Sequence, residues 1–142
     1  MADTVEFELV APEELLFSEP VELVVVPGAE GDFGVLPGHS ALISTLRTGV
    51  IAVYENDAVS QRIFVSGGFA EVTPERCTVL ADEAVTLESA NRSDVEERVK
   101  ANREALESAA DDDKENAAAA LAVSEALLLA LDTAGQAYTI NA

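Results

Sequence analysis

The pattern of hydrophobic and polar positions changes near the middle of the chain. Residues 4–10 place three apolar side chains on one face and two glutamates on the other, which predicts a half-buried strand. Residues 55–58 separate two apolar runs and predict a hairpin turn. The remaining apolar runs also predict short strands, at residues 21–26, 50–54, 59–65, 71–73 and 77–80. Short strands at such intervals indicate a β-sandwich or barrel.

The second half has a helical pattern. Seven of the eight glycines and all five prolines precede residue 75, so few turn-forming residues interrupt the second half. Ser93 and Glu96 have the spacing of a capping box, in which each side chain bonds a free backbone amide at the start of a helix. A narrow apolar stripe then recurs at helical spacing, formed by Val95, Val99, Leu106 and Ala109.

A second helix is predicted after a short acidic interruption. Aspartates at 111–113 compete with helical hydrogen bonds and suit a connection. Residues 116–131 have very high helix propensity, and Gly135 is the expected stop. Two such helices would pack as an antiparallel hairpin with a small contact area, so both a closed hairpin and one that opens are compatible with the pattern.

Charge narrows the classes of partner. The 142 residues include 27 acids and 8 bases, which gives a net charge of −19. Nucleic acids and anionic lipids would repel such a chain, so neither is predicted to bind. A protein partner should offer a locally basic surface. No uncharged run approaches the roughly 18 residues of a membrane span, so any membrane association would go through other proteins.

The residues that could carry chemistry are few. Cys77 is the only cysteine; it lies in an alternating apolar run, which favours a buried structural thiol. His39 is the only histidine; it follows a Pro-Gly pair, which favours a surface turn over a catalytic base. One histidine and one cysteine cannot form a structural zinc site. We therefore predict no catalytic site, no metal and no cofactor.

The glycine-rich segment 28–34 predicts a tight loop that presents two carboxylates. Its spacing differs from that of a phosphate-binding loop, and Glu30 and Asp32 would repel phosphate. An arginine or lysine of a partner is the expected ligand.

Three segments together resemble a known family. Residues 26–39, 65–74 and 78–84 resemble the epsilon subunit of bacterial F-type ATP synthases in content, order and separation. The resemblance covers nearly the whole chain and is strongest over residues 1–88. It implies a flattened all-β sandwich of about ten short strands at residues 1–88, which binds the rotor, and a C-terminal helix-turn-helix hairpin at residues 89–142.

The resemblance also implies a function and partners. In this family the sandwich contacts the gamma shaft and the polar loops of the c-ring, and the subunit couples proton translocation to ATP synthesis without bond chemistry of its own. His39 and Ser44 align with positions that meet gamma, and Glu30 and Asp32 align with the loop that approaches the c-ring. The hairpin of family members also reaches the alpha and beta subunits.

The second half departs from the family in two ways. Asp94 and Arg98 are the nearest match to its nucleotide-binding segment, but their spacing of four rather than three favours an ion pair within a helix. Inhibitory members use basic residues on the last helix to meet an acidic segment of beta. This chain has no base after Lys114, which predicts weak or absent inhibition of ATP hydrolysis.

Two other functions stay open from the residues alone. One is a free-standing nucleotide-sensing or ligand-binding module, and the other is a small hydrolase, which lacks an evident nucleophile-base pair. Residues 1–10 are acidic and alternating, unlike a targeting segment. With the resemblance, this predicts a peripheral protein on the cytoplasmic face of a bacterial inner membrane.

Overall fold

The computed structural model describes residues 4–12 and 14–133. It contains two compact units, Met1–Glu88 and Ser89–Ala142. The described part of the first unit is built from β-strands. The described part of the second unit is a pair of helices that pack against each other.

The first unit contains ten strands among its described residues, joined mostly by short turns. They are β1 (Val5–Ala11), β2 (Glu14–Val21), β3 (Leu23–Gly28), β4 (Gly31–Val35), β5 (Leu42–Thr45), β6 (Thr48–Glu55), β7 (Ala58–Ser66), β8 (Gly68–Val72), β9 (Arg76–Ala81) and β10 (Ala84–Thr86). A 3₁₀ turn, Leu87–Ser89, follows β10. Two helices complete the described chain, α1 (Arg92–Ser108) and α2 (Lys114–Thr133).

The strands form two five-stranded sheets that share one core. Sheet A has the order β2-β1-β9-β8-β5, and sheet B has the order β10-β7-β6-β3-β4. The pairing of β1 with β9 is parallel, and the other pairings between these strands are antiparallel. The inward side chains of both sheets belong to one hydrophobic cluster. The predicted all-β sandwich followed by a helical hairpin is therefore confirmed.

The alternation in β1 explains how sheet A covers this core. Val5, Phe7 and Leu9 are at most 1% exposed. Phe7 also meets Phe17 of β2, with the two ring centroids 5.2 Å apart at a tilted angle. Aromatic pairs favour such offset or tilted contacts, so this diagonal pair adds a stabilising contact between the first two strands.

The predicted turn between β6 and β7 is confirmed. Asn56 and Asp57 have φ angles of 55° and 63°, as a two-residue turn of this handedness requires. The backbone N–H of Asn56 also donates to the Glu22 carboxylate, 2.8 Å away. Short polar residues that tolerate positive φ therefore set this turn.

Four strands were not predicted from the pattern, and each is an edge strand of its sheet: β2, β4, β5 and β10. β2 and β5 are edge strands of sheet A, and their side chains are largely exposed. The segment predicted as a loop at residues 28–34 is instead a β-hairpin, because β4 pairs with β3 from Val35 to Gly31. Exposed edge strands lack the apolar alternation that burial imposes, so periodicity does not reveal them.

The start of α1 differs from the prediction. The N-cap is Asn91 rather than Ser93, and its Oδ1 accepts a hydrogen bond from the Asp94 backbone N–H at 3.2 Å. Asparagine caps helices as well as serine does. Starting two residues earlier also brings Arg92 into the helix, where it pairs with Glu96 at 3.2 Å.

The connection between the helices was predicted correctly. Residues 111–113 form the turn, and α2 begins at Lys114. The predicted stop at Gly135 lies outside the described residues.

α2 is long and apolar enough to cross a membrane by length and composition. Its central Glu125, however, pairs with Arg103 of α1 at 3.3 Å, and its Ser124 hydroxyl accepts from Asn102 of α1, so two polar groups in its middle are used within the helix pair.

Candidate partner-binding site

The β3–β4 hairpin projects a carboxylate on a two-residue turn. Ala29 and Glu30 form the turn, and Gly28 pairs with Gly31 at its base. A Cβ on Gly28 would lie 2.7 Å from the Gly31 carbonyl oxygen, and Gly31 has a φ of +137°. Only glycine suits these two positions, so the turn is tight and holds Glu30 at its tip. Asp32 lies in β4 rather than on the turn, which corrects the predicted loop.

Arg47 ties this hairpin to the segment between β5 and β6. Its Nη2 donates to Asp32 Oδ1 at 2.5 Å, and its Nη1 donates to the Gly28 carbonyl at 2.6 Å. Its backbone N–H donates to the Pro27 carbonyl at 3.0 Å. The side chains of Arg47 and Asp32 are 45% and 59% exposed, so the ion pair itself adds about 1 kcal/mol or less to the stability of the fold.

An open depression of about 470 Å³ lies beside this hairpin. Glu30, Asp32 and Ser44 all line it, so the structure brings together three of the four residues predicted to bind partners. Ser44 lies in β5 and donates its hydroxyl to the Thr45 carbonyl at 2.9 Å. The turn is also joined to β5, because the Ala29 N–H donates to the same carbonyl at 2.9 Å.

His39 lies apart from this depression, in the connection between β4 and β5. Its Nδ1 is 2.7 Å from the Ser40 carbonyl, which can only accept, so Nδ1 carries the proton. Its backbone N–H donates to the Leu36 carbonyl at 3.1 Å. Gly38 beside it donates to the Pro74 carbonyl at 2.8 Å, which anchors the connection on the β8–β9 turn. The contact of His39 and Ser44 with a gamma subunit stays a prediction.

The outer face of sheet A carries an apolar strip. Phe69 lies opposite Leu80, Leu80 opposite Val10, and Val10 opposite Leu15. On the neighbouring row, Ile43 lies opposite Glu71 and is 70% exposed. We define the apolar strip as Leu15, Leu80, Phe69 and Ile43, which are 38–70% exposed. Large exposed apolar side chains on a strongly acidic protein mark a surface for another protein.

The predicted nucleotide-binding pair lies on α1. Asp94 is in its first turn, with its backbone N–H held by Asn91, and Arg98 lies one turn further on. Neither residue lines the depression beside β5. Nucleotide binding and the ion pair between the two side chains both stay predictions.

Cys77 is buried in the shared core. It is 0% exposed, and burial raises the pKa of its thiol from 9.0 to about 12. A neutral, inaccessible thiol is a packing group. Within residues 4–12 and 14–133, no group of three or more His, Cys, Asp or Glu side chains is placed to hold a metal ion.

Sequence reasoning missed Arg47 and the apolar strip. Arg47 could have been singled out because it is one of only 8 basic residues in a chain that has 27 acidic residues. The signal for the strip was alternation in β8, where buried Ala70 and Val72 leave Phe69 facing outward. Side chains alternate between the two faces of a strand, so once a strand is located, the sequence shows which large apolar residues face outward.

Comparisons with known proteins agree with this architecture. Residues 4–87 match the family described as "ATP synthase, Delta/Epsilon chain, beta-sandwich domain". An ATP synthase epsilon chain of Rhodospirillum rubrum is 57% identical over 131 residues, 92% of this chain and 98% of that protein. The epsilon chain of Paramagnetospirillum magneticum is 48% identical over 132 residues, 92% of this chain and 99% of its own length.

A solved structure shows the same fold. A chain in the cryo-EM structure of the Euglena gracilis mitochondrial ATP synthase, OSCP/F1/c-ring, superposes with a TM-score of 0.74. It is 28% identical, and the match covers 91% of this chain and 82% of that chain. The resemblance drawn from the sequence is confirmed, and this chain belongs to the ATP synthase epsilon-chain family.

Proposed function

We propose that this chain is a non-catalytic central-stalk subunit of an F-type ATP synthase. It links the gamma shaft to the c-ring and couples proton translocation to ATP synthesis, while catalysis resides in other subunits. The observation that carries the proposal is the match to the R. rubrum epsilon chain, at 57% identity over 98% of that protein. The Euglena structure, which contains an F1 and a c-ring, supports the same assembly.

The apolar strip fits contact with the shaft. Ile43 and Phe69 lie on neighbouring rows at the β5–β8 side of sheet A and are 70% and 44% exposed. An aromatic anchor surrounded by aliphatic residues is typical of the energetic centre of an interface. Ser44 follows Ile43 on β5 and therefore points to the other face of the sheet, but both residues line the depression beside the β3–β4 hairpin, which brings the predicted gamma contact at Ser44 close to this strip.

The hairpin beside β5 fits contact with a basic loop. Glu30 and Asp32 place two carboxylates at one end of the sandwich. Among the described residues bonded to this hairpin, only Arg47 carries a positive charge that offsets their negative charge. In the proposed assembly this end faces the polar loops of the c-ring. The protein then lies peripherally on the cytoplasmic face of a bacterial inner membrane, held there by the complex.

Reconstitution tests this function. Membranes that contain an R. rubrum synthase stripped of its own epsilon chain would be supplied with this protein, and ATP-driven proton pumping would be measured. We expect restored coupling. Phe69→Glu combined with Ile43→Glu should weaken binding to the stripped complex at least tenfold, because two charges would be buried against an apolar partner.

The matched control is Leu129→Glu, which adds a charge at a residue of α2 that is 63% exposed. This variant should bind and couple like the wild type. Failure of the wild-type chain to bind the stripped complex would contradict the proposal. Tight ATP binding by the isolated chain, without binding to the complex, would instead support a nucleotide-sensing module.

A further inference from the structure

Arg47 holds both strands of the β3–β4 hairpin at once. It contacts Gly28 of β3 through Nη1 at 2.6 Å and Asp32 of β4 through Nη2 at 2.5 Å. The planar guanidinium fixes the directions of its donors, so two such bonds constrain the hairpin more than a lysine would. The Ala29 N–H, bonded to Thr45 at 2.9 Å, anchors the turn on the opposite side.

The two carboxylates of this hairpin are therefore not equivalent. The Asp32 carboxylate is already bonded to a cation of its own chain. The Glu30 carboxylate is exposed and has no hydrogen-bond or ion-pair partner among residues 4–12 and 14–133. An exposed, unpaired acid on a turn with fixed backbone loses little further freedom on binding, which favours contact with a charged partner.

We propose that Glu30 is the residue of this hairpin that binds a lysine or arginine of the partner surface, and that Arg47 is its positioning residue. Arg47 holds Asp32 within the chain and fixes the turn, so that Glu30 meets the cation directly. This inference rests on the proposed function, because it requires a partner with a basic surface at this end of the sandwich. It divides between two residues a role that the sequence assigned to both.

Binding to the epsilon-stripped synthase, measured over a range of salt concentrations, separates the two acids. Glu30→Gln should weaken binding at least fivefold and flatten its salt dependence, since one screened charge pair is lost. Asp32→Asn should change affinity less than twofold, because the amide oxygen can still accept from Arg47. A larger loss with Asp32→Asn than with Glu30→Gln would show that the partner displaces Arg47, and would overturn the proposal.

Hydrogen exchange on the free, full-length chain tests the positioning role. Arg47→Gln should speed exchange of the Ala29 amide at least tenfold and leave the Asn56 amide, in the β6–β7 turn, unchanged. Arg47→Lys should restore part of the protection. Unchanged exchange at Ala29 would overturn the positioning role even if the variant binds weakly.

A control and the wild type distinguish the two ways in which binding could fail. Arg103→Gln removes an exposed arginine–carboxylate pair of similar exposure on α1 and should leave binding unchanged. If the wild type binds and Glu30→Gln binds equally well, this inference fails and the proposed function stands. If the wild type does not bind the stripped complex, both fail.

Discussion

The Asn102 side-chain amide donates a hydrogen bond to the Ser124 hydroxyl, 2.9 Å away, and so joins α1 to α2. Ser124 is 0% exposed, and it donates in turn to the Leu121 carbonyl at 3.0 Å. Asn102 also reaches the Ala120 carbonyl at 3.2 Å. A satisfied polar group inside a contact of mostly small side chains permits one register of the two helices and penalises others.

Removal of this contact should loosen the helix pair. A double-mutant cycle of Asn102→Ala and Ser124→Ala should give a coupling free energy of roughly 1 kcal/mol, the usual net value of a hydrogen bond. Hydrogen exchange of the backbone amides in α1 and α2 measures this coupling free energy without involving the sandwich. The coupling should persist at high salt, because both groups are neutral. Ser108→Ala, which removes a bond within α1 only, should change exchange little; an equal effect would contradict the register role.

Gly68 should be far less tolerant of substitution than Gly38. Both have positive φ, +111° and +86°, but an added Cβ at Gly68 would collide with the Leu80 carbonyl oxygen, whereas Gly38 faces open space. We expect Gly68→Ala to cost roughly 2–5 kcal/mol, from backbone strain plus overpacking, and Gly38→Ala roughly 1–2 kcal/mol. Urea unfolding of each variant measures the difference in stability. Similar midpoints would contradict the prediction, because they would show that β9 shifts to make room for the added methyl group at Gly68.

The Cys77 thiol should make stability fall at alkaline pH. Its pKa is raised from 9.0 to about 12 in the folded chain, so the folded state keeps a proton that the unfolded state loses. The stabilising contribution is complete below pH 9 and decreases as the pH rises from 9 towards 12. One such group gives a slope of about 1.4 kcal/mol per pH unit in this window.

Urea unfolding at several pH values tests this slope, with Cys77→Ala as the comparison. The alanine variant will be less stable at neutral pH because it leaves a small cavity. Its stability should nevertheless fall less steeply between pH 9 and 12 than that of the wild type. Parallel curves for the two proteins would contradict a buried neutral thiol.

Where burial imposes a pattern, the sequence was sufficient to predict the strands. Val5, Phe7 and Leu9 alternate because one side of β1 faces the core, and β1 lies close to its predicted bounds. β2 was missed because Leu15 and Leu16 are both exposed, and Leu16 is the extra residue at a register shift in the pairing with β1. The strand also contains Pro20, which ordinarily argues against a central strand.

The residues alone predicted the candidate site only as a pair of acids, and Ser44 was added by the family resemblance. The spacing of Glu30 and Asp32 along the chain indicates a common segment, and both do line one depression. The difference between them comes from Arg47, fifteen residues after Asp32 and in another connection. Contacts of this kind depend on how strands pair across the sandwich, which composition and periodicity do not specify.

The helix pair should be a weak inhibitor of ATP hydrolysis. α2 carries one base, Lys114, and three acids, Glu115, Glu125 and Asp132, for a net charge of −2. Against the acidic segment of beta that the family resemblance implies as a target, this charge is repulsive. Full-length protein and a chain ending at Glu88 should therefore restrain an epsilon-depleted catalytic complex to the same small extent. A several-fold rise in ATPase activity on truncation would contradict this.

Adding basic residues to α2 tests whether its negative charge limits inhibition of ATP hydrolysis. Ala118 and Ala122 are exposed on α2, and replacing both with lysine changes its net charge from −2 to 0. We expect Ala118→Lys with Ala122→Lys to inhibit ATP hydrolysis more than the wild type, and increasingly so as salt is lowered. Serine at both positions is the matched control and should leave hydrolysis unchanged. Equal inhibition by the lysine and serine variants would show that charge on α2 does not limit its contact with the catalytic subunits.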